Sequence, residues 1–371
     1  MKRKYMSTTD AQNVYDMVDG WGGVATRKHP GFWVKAFFWL IVATYSVFFA
    51  EVLSGSFIFP FFNVWGYLVL LPLYGIHALL LFTLVVRWGN RSFESLFSVG
   101  LLFGLYEAFI TKVIFSPPDG RSPFFFLEVD WLQVSVLVLW WHMFMAFIIP
   151  VLLAVTALTR KNDISGWLPR PVKMLLADKK RSFWAIIAFL VWAGAFMGGN
   201  TDPVSGPLAA ASGLAIIYAL SWLWKKRTGN AFTIEQLLPD KKEFFILLGF
   251  LVVWCYLLLG SAFGSKGLPG ITGHAVIMIV YALCLLLIML KLRKPSEEMA
   301  PAGPLVELPP IDLKALVIMV LVLGASISIS SVTGLGWYVI IFSFLGGSLL
   351  GLVCLAAAIL SVVRAYLFPR T

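Results

Sequence analysis

The sequence predicts an all-α, polytopic integral membrane helix bundle of about ten transmembrane helices with both termini cytoplasmic. Three observations carry the prediction. Of the 371 residues, 60% are apolar and 13% charged, whereas a soluble domain holds roughly 45–50% and 25%. A soluble fold cannot hide that much apolar surface, but a bilayer can. The apolar residues also come in successive runs of about 20, the length a helix rising 1.5 Å per residue needs to cross the hydrocarbon. Finally, the basic residues concentrate in alternate inter-run segments.

In chain order, the polar segment 1–31 reads as a cytoplasmic arm without a cleavable signal-peptide pattern. Spans follow near 32–54, 64–86, 93–116 and 131–158, which form a four-helix unit. Six more lie near 183–200, 205–224, 244–262, 271–291, 314–331 and 337–363, the fifth and ninth being short and rich in small residues. This six-helix unit, 183–363, carries few polar groups and reads as scaffold. Between the eighth and ninth spans, 294–313 (KPSEEMAPAGPLVELPPIDL) reads as an extended, proline-rich cytoplasmic connector. Trp65, Trp88, Trp131, Trp167, Trp222, Trp224 and Trp337 fall at span edges, as an interfacial belt requires.

The charge pattern sets the parity. Segments assigned inside hold 25 of the 29 basic residues, those outside hold Arg121 and Lys266, and Lys35 and Lys112 lie within spans. Basic residues favour the cytoplasmic side of short loops, so an even number of spans in a plasma membrane satisfies all loops together. The net charge of +10 is then a matter of orientation, with no call for nucleic acid. The basic loops 159–182 and 225–243 are expected to lie along anionic lipid. Besides the bilayer, homo-oligomers or a partner in a membrane complex are compatible with this reading. The outer loops 55–63 (GSFIFPFFN) and 117–130 (PPDGRSPFFFLEVD) are aromatic and are expected to dip into the interface or cover a cavity.

Ionisable groups within hydrocarbon cost at least ~2.5–3.5 kcal/mol and mark function by default. The first four spans hold Glu51, His77, Glu107, Lys112 and His142, and the last six hold only His274. Counting residues from the outer ends puts His77, Glu107 and His142 at ~20, ~15 and ~17 Å, near the middle of a ~30 Å core. Thr111, one turn from Glu107, extends its polar face, and Tyr74 adds a hydroxyl one turn before His77. Glu51 and Lys112, both ~6 Å below the outer edge, are expected to form an ion pair or outer gate.

Two imidazoles and a carboxyl at one depth suit a divalent metal, a b-type haem, a proton relay, a polar solute or plain interhelical hydrogen bonding. Ser212 with His274 is a weaker candidate for a Ser–His pair. Cys255, Cys284 and Cys354 have no ligand spacing. Gly100/Gly104, Gly194/Gly198 and Gly347/Gly351 have the GxxxG spacing of close helix crossings. Phosphate-cradling, dinucleotide and HExxH motifs are absent, which argues against ATP-driven work by this chain alone. The leading expectation is transport or handling of an ion, proton or small polar solute through a midplane site in helices 2–4. A membrane-embedded metal- or haem-dependent enzyme and a structural subunit of a larger complex are the alternatives.

Overall fold

The computed structural model describes residues 30–89, 91–117, 120–160, 164–254, 268–292 and 312–367. Apolar runs become helices because a helix closes its own backbone hydrogen bonds where no water can. The first four are α1 (Phe32–Val52), α2 (Gly66–Trp88), α3 (Phe93–Ile110) and α4 (Trp131–Leu158). A short amphipathic helix α5 (Arg170–Leu176) precedes α6 (Lys179–Gly198) and α7 (Ser205–Thr228). The turn-length α8 (Ile234–Leu237) and α9 (Lys241–Leu251) follow, then α10 (Ile271–Leu292), α11 (Leu313–Thr333) and α12 (Leu335–Leu367). A two-stranded hairpin, β1 (Phe125–Phe126) with β2 (Val129–Asp130), sits between α3 and α4.

Nine of the described helices are long and apolar enough to cross a membrane, and the chain is an all-α multi-pass membrane protein. The seventh expected span, 244–262, runs partly outside the described residues. Its described part already bridges the bundle. Glu243 meets Lys35 at the start of α1, and eleven residues on, Trp254 donates its indole N–H to Leu68 O at the opposite end, 2.9 Å away. The two ends are called here the basic end (Lys35, Arg87, Arg160) and the hairpin end (Ser54–Ser56, β1–β2). Most of the expected connector 294–313 and of the arm 1–31, together with Cys255, lie outside the described residues.

The first four helices form the centre. Between 67% and 78% of the apolar windows of α1–α4 are buried, against 17–39% for the five later spanning helices. α1 packs on α2, and α3 on α4; α6 and α7 share α11, α10 leans on α3, and α12 covers α4. All three GxxxG pairs fall at close crossings: Gly100 and Gly104 on α4, Gly194 and Gly198 on α11, and Gly347 and Gly351 on α4.

Helix winding departs from 3.6 residues per turn in places that matter. The last turn of α1 (Phe48–Val52), the first of α2 (Gly66–Leu70) and the middle of α4 (Val134–Ile148) are π-helical. Such widened segments are rare and turn side chains onto faces that an α-helical count does not predict.

Two sequence expectations change. Trp167 and Trp224 are core residues, 2% and 0% exposed, and not belt residues. Trp224 donates to Leu158 O at 2.8 Å and packs on Phe37 and Phe38. The loop 225–243 does not lie free along a leaflet: Ile234, Leu237 and Leu238 are buried beneath the basic ends of α1–α4. By contrast, Met174 and Leu175 of α5 are exposed, as a helix lying at the interface requires.

Candidate functional site: a carboxylate–tyrosine–histidine cluster

The site begins with a glycine. A methyl group added to Gly104 on α3 would stand 2.9 Å from Val138 Cα on α4, so only glycine lets the helices approach this closely. Three residues beyond Gly104 is Glu107, and four beyond Val138 is His142. The close crossing brings Glu107 Oε2 to 2.9 Å from His142 Nε2. Both residues are buried, at 5% and 7% exposure. The contact is one of charge and distance: Glu107 Oε2 makes no aligned hydrogen bond, and neither does His142 Nδ1.

Two further helices extend the pair. Tyr74 on α2 donates its hydroxyl to Glu51 Oε1 at 2.5 Å and lies 3.4 Å from Glu107 Oε1. Glu51 in turn accepts from Ser56 Oγ at 2.6 Å. Glu51 sits in the π-wound last turn of α1, and His142 in the π-wound stretch of α4. The result is a run of exchangeable groups, Ser56–Glu51–Tyr74–Glu107–His142, from a loop at the hairpin end into the bundle. Hydroxyl, carboxyl and imidazole can each accept or pass a proton along such a run.

A cavity of about 540 Å³ opens beside it. Glu51, Glu107, His142 and Thr111 contribute polar groups; Trp141, Phe196 and Phe344 contribute rings; Ser54, Ser56 and Asn200 stand at the mouth. Asn200 ties that mouth shut on one side by donating to Ser54 O at 2.8 Å. Trp141 is fixed by an indole N–H bond to Ala50 O at 3.0 Å and stacks on Phe196, ring centroids 4.6 Å apart.

The basic end is closed. Lys35, only 7% exposed, pairs with Glu243 and lies 3.8 Å from Asp240. Asp240 and Glu243 form the capping box that starts α9, each side chain accepting from the other's backbone N–H. The amide of Glu243, outweighing slight burial and aided by the Lys35 charge, holds the Asp240 carboxyl below its ordinary range. Arg87 donates to Leu238 O at 3.1 Å, Arg91 pairs with Glu235, and Trp39 donates to Leu237 O at 2.8 Å. Burial opposes ionisation of Glu235, but bonds from its own amide, Thr233 and Arg91 still lower its carboxyl.

Several sequence expectations are revised by this geometry. α3 ends at Ile110, where Thr111 turns its hydroxyl back to Glu107 O at 3.0 Å and Lys112 takes a left-handed φ of 60°. Glu107 therefore lies ~4.5 Å from its own helix end, while His142, its partner, stands eleven residues inside α4. Glu51 turns to Tyr74 and Ser56; it forms no ion pair with Lys112, which is outside the cavity lining. His77 does not join the cluster. Its Nδ1 contacts Leu73 O at 2.5 Å and its ring stacks on Tyr106, centroids 3.7 Å apart.

Among the described residues no three His, Cys, Asp or Glu side chains gather as a metal set would, so His77, His142 and Glu107 do not form the expected metal site. His142 lines the cavity and His77 does not, so the two imidazoles do not flank one slot for a haem. Ser212 and His274 are not a pair either. Ser212 bonds Ala209 O at 2.9 Å, and His274 contacts Gly270 O at 3.0 Å. Their helices pack on different neighbours, α7 on α1 and α11, α10 on α3 and α12.

Sequence reasoning missed the partners that come from afar. Lys35 and Glu243 are 208 residues apart, and no spacing links them, although the DKKE start of α9 is a legible capping signal. Trp141 and Asn200, whose bonds to Ala50 O and Ser54 O join distant segments, carry no sequence signal of those contacts.

Comparison with known proteins agrees with the fold. A protein of Archaeoglobus fulgidus described as an uncharacterized protein is 35% identical over 270 residues, covering 71% of this chain and 81% of that protein. No solved structure matches the chain. Residues 40–370 match the pattern of a group described as an uncharacterized membrane protein family, and the chain belongs to that family.

Proposed function

We infer that the chain handles a proton or a small cation at the Glu51–Tyr74–Glu107–His142 cluster, reached from the hairpin end. The observation that carries this reading is the buried Glu107–His142 contact joined through Tyr74 to Glu51 and the cavity mouth. With both carboxyls ionised, the two negative charges exceed the single positive charge of a protonated His142. A buried excess of charge is costly, and an incoming proton or cation relieves it. The basic residues crowd the opposite end, which supports placing that end in the cytoplasm and the cavity at the outer face of a cell membrane. The Lys35–Glu243 closure opposite an open cavity fits one state of an alternating-access cycle.

The test is flux in proteoliposomes, followed with a pH-sensitive dye inside the vesicles, for wild type and Glu107→Gln. The reading expects wild-type flux, reduced at least tenfold in the variant while the purified variant stays monodisperse. Equal flux in both would end it.

A further inference from the structure

We propose that the ligand taken by this cavity is an organic cation, a substituted ammonium with apolar groups, rather than a bare inorganic ion. The proposal rests on the reading above and names its ligand class.

Three observations point the same way. The first is size. An inorganic ion needs a close cage of oxygens, whereas about 540 Å³ falls in the range of small-molecule sites. The second is charge. The lining holds two carboxylates and one imidazole, and no Lys or Arg among its described residues. Glu107 and His142 both line the cavity, with Glu107 Oε2 2.9 Å from His142 Nε2 and His142 Nδ1 without an aligned hydrogen bond. The third is the wall. Trp141, Phe196 and Phe344 form a contiguous set of rings, with Trp141 stacked on Phe196 and Phe344 set edge-on to Phe196 at 5.8 Å. Ring faces attract cations and also accept apolar substituents, and Trp is the strongest of the aromatic residues in this role.

Carboxylates for the charge and rings for the substituents are complementary demands. A neutral solute leaves the carboxylates unbalanced, an anion is repelled, and sodium leaves the rings unused. The Trp141–Ala50 bond holds the wall in place before the ligand arrives, which reduces the ordering cost of binding.

The test is calorimetric titration of the detergent-purified full chain with tetraethylammonium chloride, with sodium chloride at equal ionic strength as the control. Glu107→Gln removes the charge, and Phe344→Leu, a half-buried position, removes one ring at little cost to folding. The expected result is saturable binding of tetraethylammonium to wild type, weakened at least tenfold by Glu107→Gln and severalfold by Phe344→Leu, with no competition from sodium. Absence of binding to wild type, or binding unchanged in both variants, overturns the proposal. If tetraethylammonium fails to bind while proton flux still depends on Glu107, the ligand class falls and the proton reading stands. If flux does not depend on Glu107, the underlying reading falls first.

Discussion

Tyr74 is the residue on which the cluster turns. Its hydroxyl is the bridge between two carboxylates from two other helices. Removing that hydroxyl while keeping the ring isolates Glu51 from Glu107. Tyr74→Phe is therefore expected to lower flux severalfold and stability by only about 1 kcal/mol, the ordinary net value of one hydrogen bond, measured by vesicle flux beside thermal unfolding in detergent. A fall in stability with unchanged flux would give Tyr74 a structural role alone. At the hairpin end, Ser205 Oγ and the amides of Ser205 and Val204 bring the Asp202 carboxyl down to about 2. A carboxyl lowered by folding adds stability above its ordinary pKa and loses it as pH falls through the folded value. The melting-temperature advantage of wild type over Asp202→Asn should accordingly shrink as pH drops from the ordinary Asp range toward 2; an advantage constant with pH would contradict this. The identity of Glu107 as the leading residue was legible in sequence, because a carboxyl within an apolar run is costly. Its depth was not. The count assumed a helix to 116, but the chain turns at Lys112, where a non-glycine residue holds a left-handed φ that no hydropathy window reveals.

At the scale of elements, the helices themselves were readable as apolar runs, and the GxxxG pairs as crossings. Which faces meet was less so. The π-wound turns at 48–52 and 134–148 shift Glu51 and His142 away from the faces that 3.6-residue counting assigns. The Lys35–Glu243 pairing was hidden for another reason. It joins α1 to α9 across most of the chain, and a single sequence read alone cannot report such a contact. It gives a prediction of its own. Lys35 is buried and Glu243 only partly so, so Lys35→Met leaves Glu243 without its cation and should destabilise the protein by about 1–3 kcal/mol, the cost of losing a charged hydrogen bond. Adding Glu243→Gln, which removes the charge and keeps the capping-box acceptor, should recover part of that loss in the same chemical-denaturation measurement. A single variant as stable as wild type would remove the closure from the account.

Across the whole molecule, the central helices α1–α4 bring the ionisable groups together, and the later helices surround them with apolar surface suited to lipid. The two ends differ. One is closed by the docked 231–243 segment and its ion pairs, and the other opens onto the carboxylate cavity. That asymmetry is what a protein needs if it takes up a charge on one side of a membrane, and Glu107 stands at the centre of the cluster that would receive it. The most direct measurement is difference infrared spectroscopy of membrane-reconstituted protein as the pH is stepped, wild type beside Glu107→Gln. The account predicts a carboxyl band in wild type that appears on acidification, is lost in Glu107→Gln and shifts in Tyr74→Phe. Identical pH-difference spectra for wild type and Glu107→Gln would contradict it.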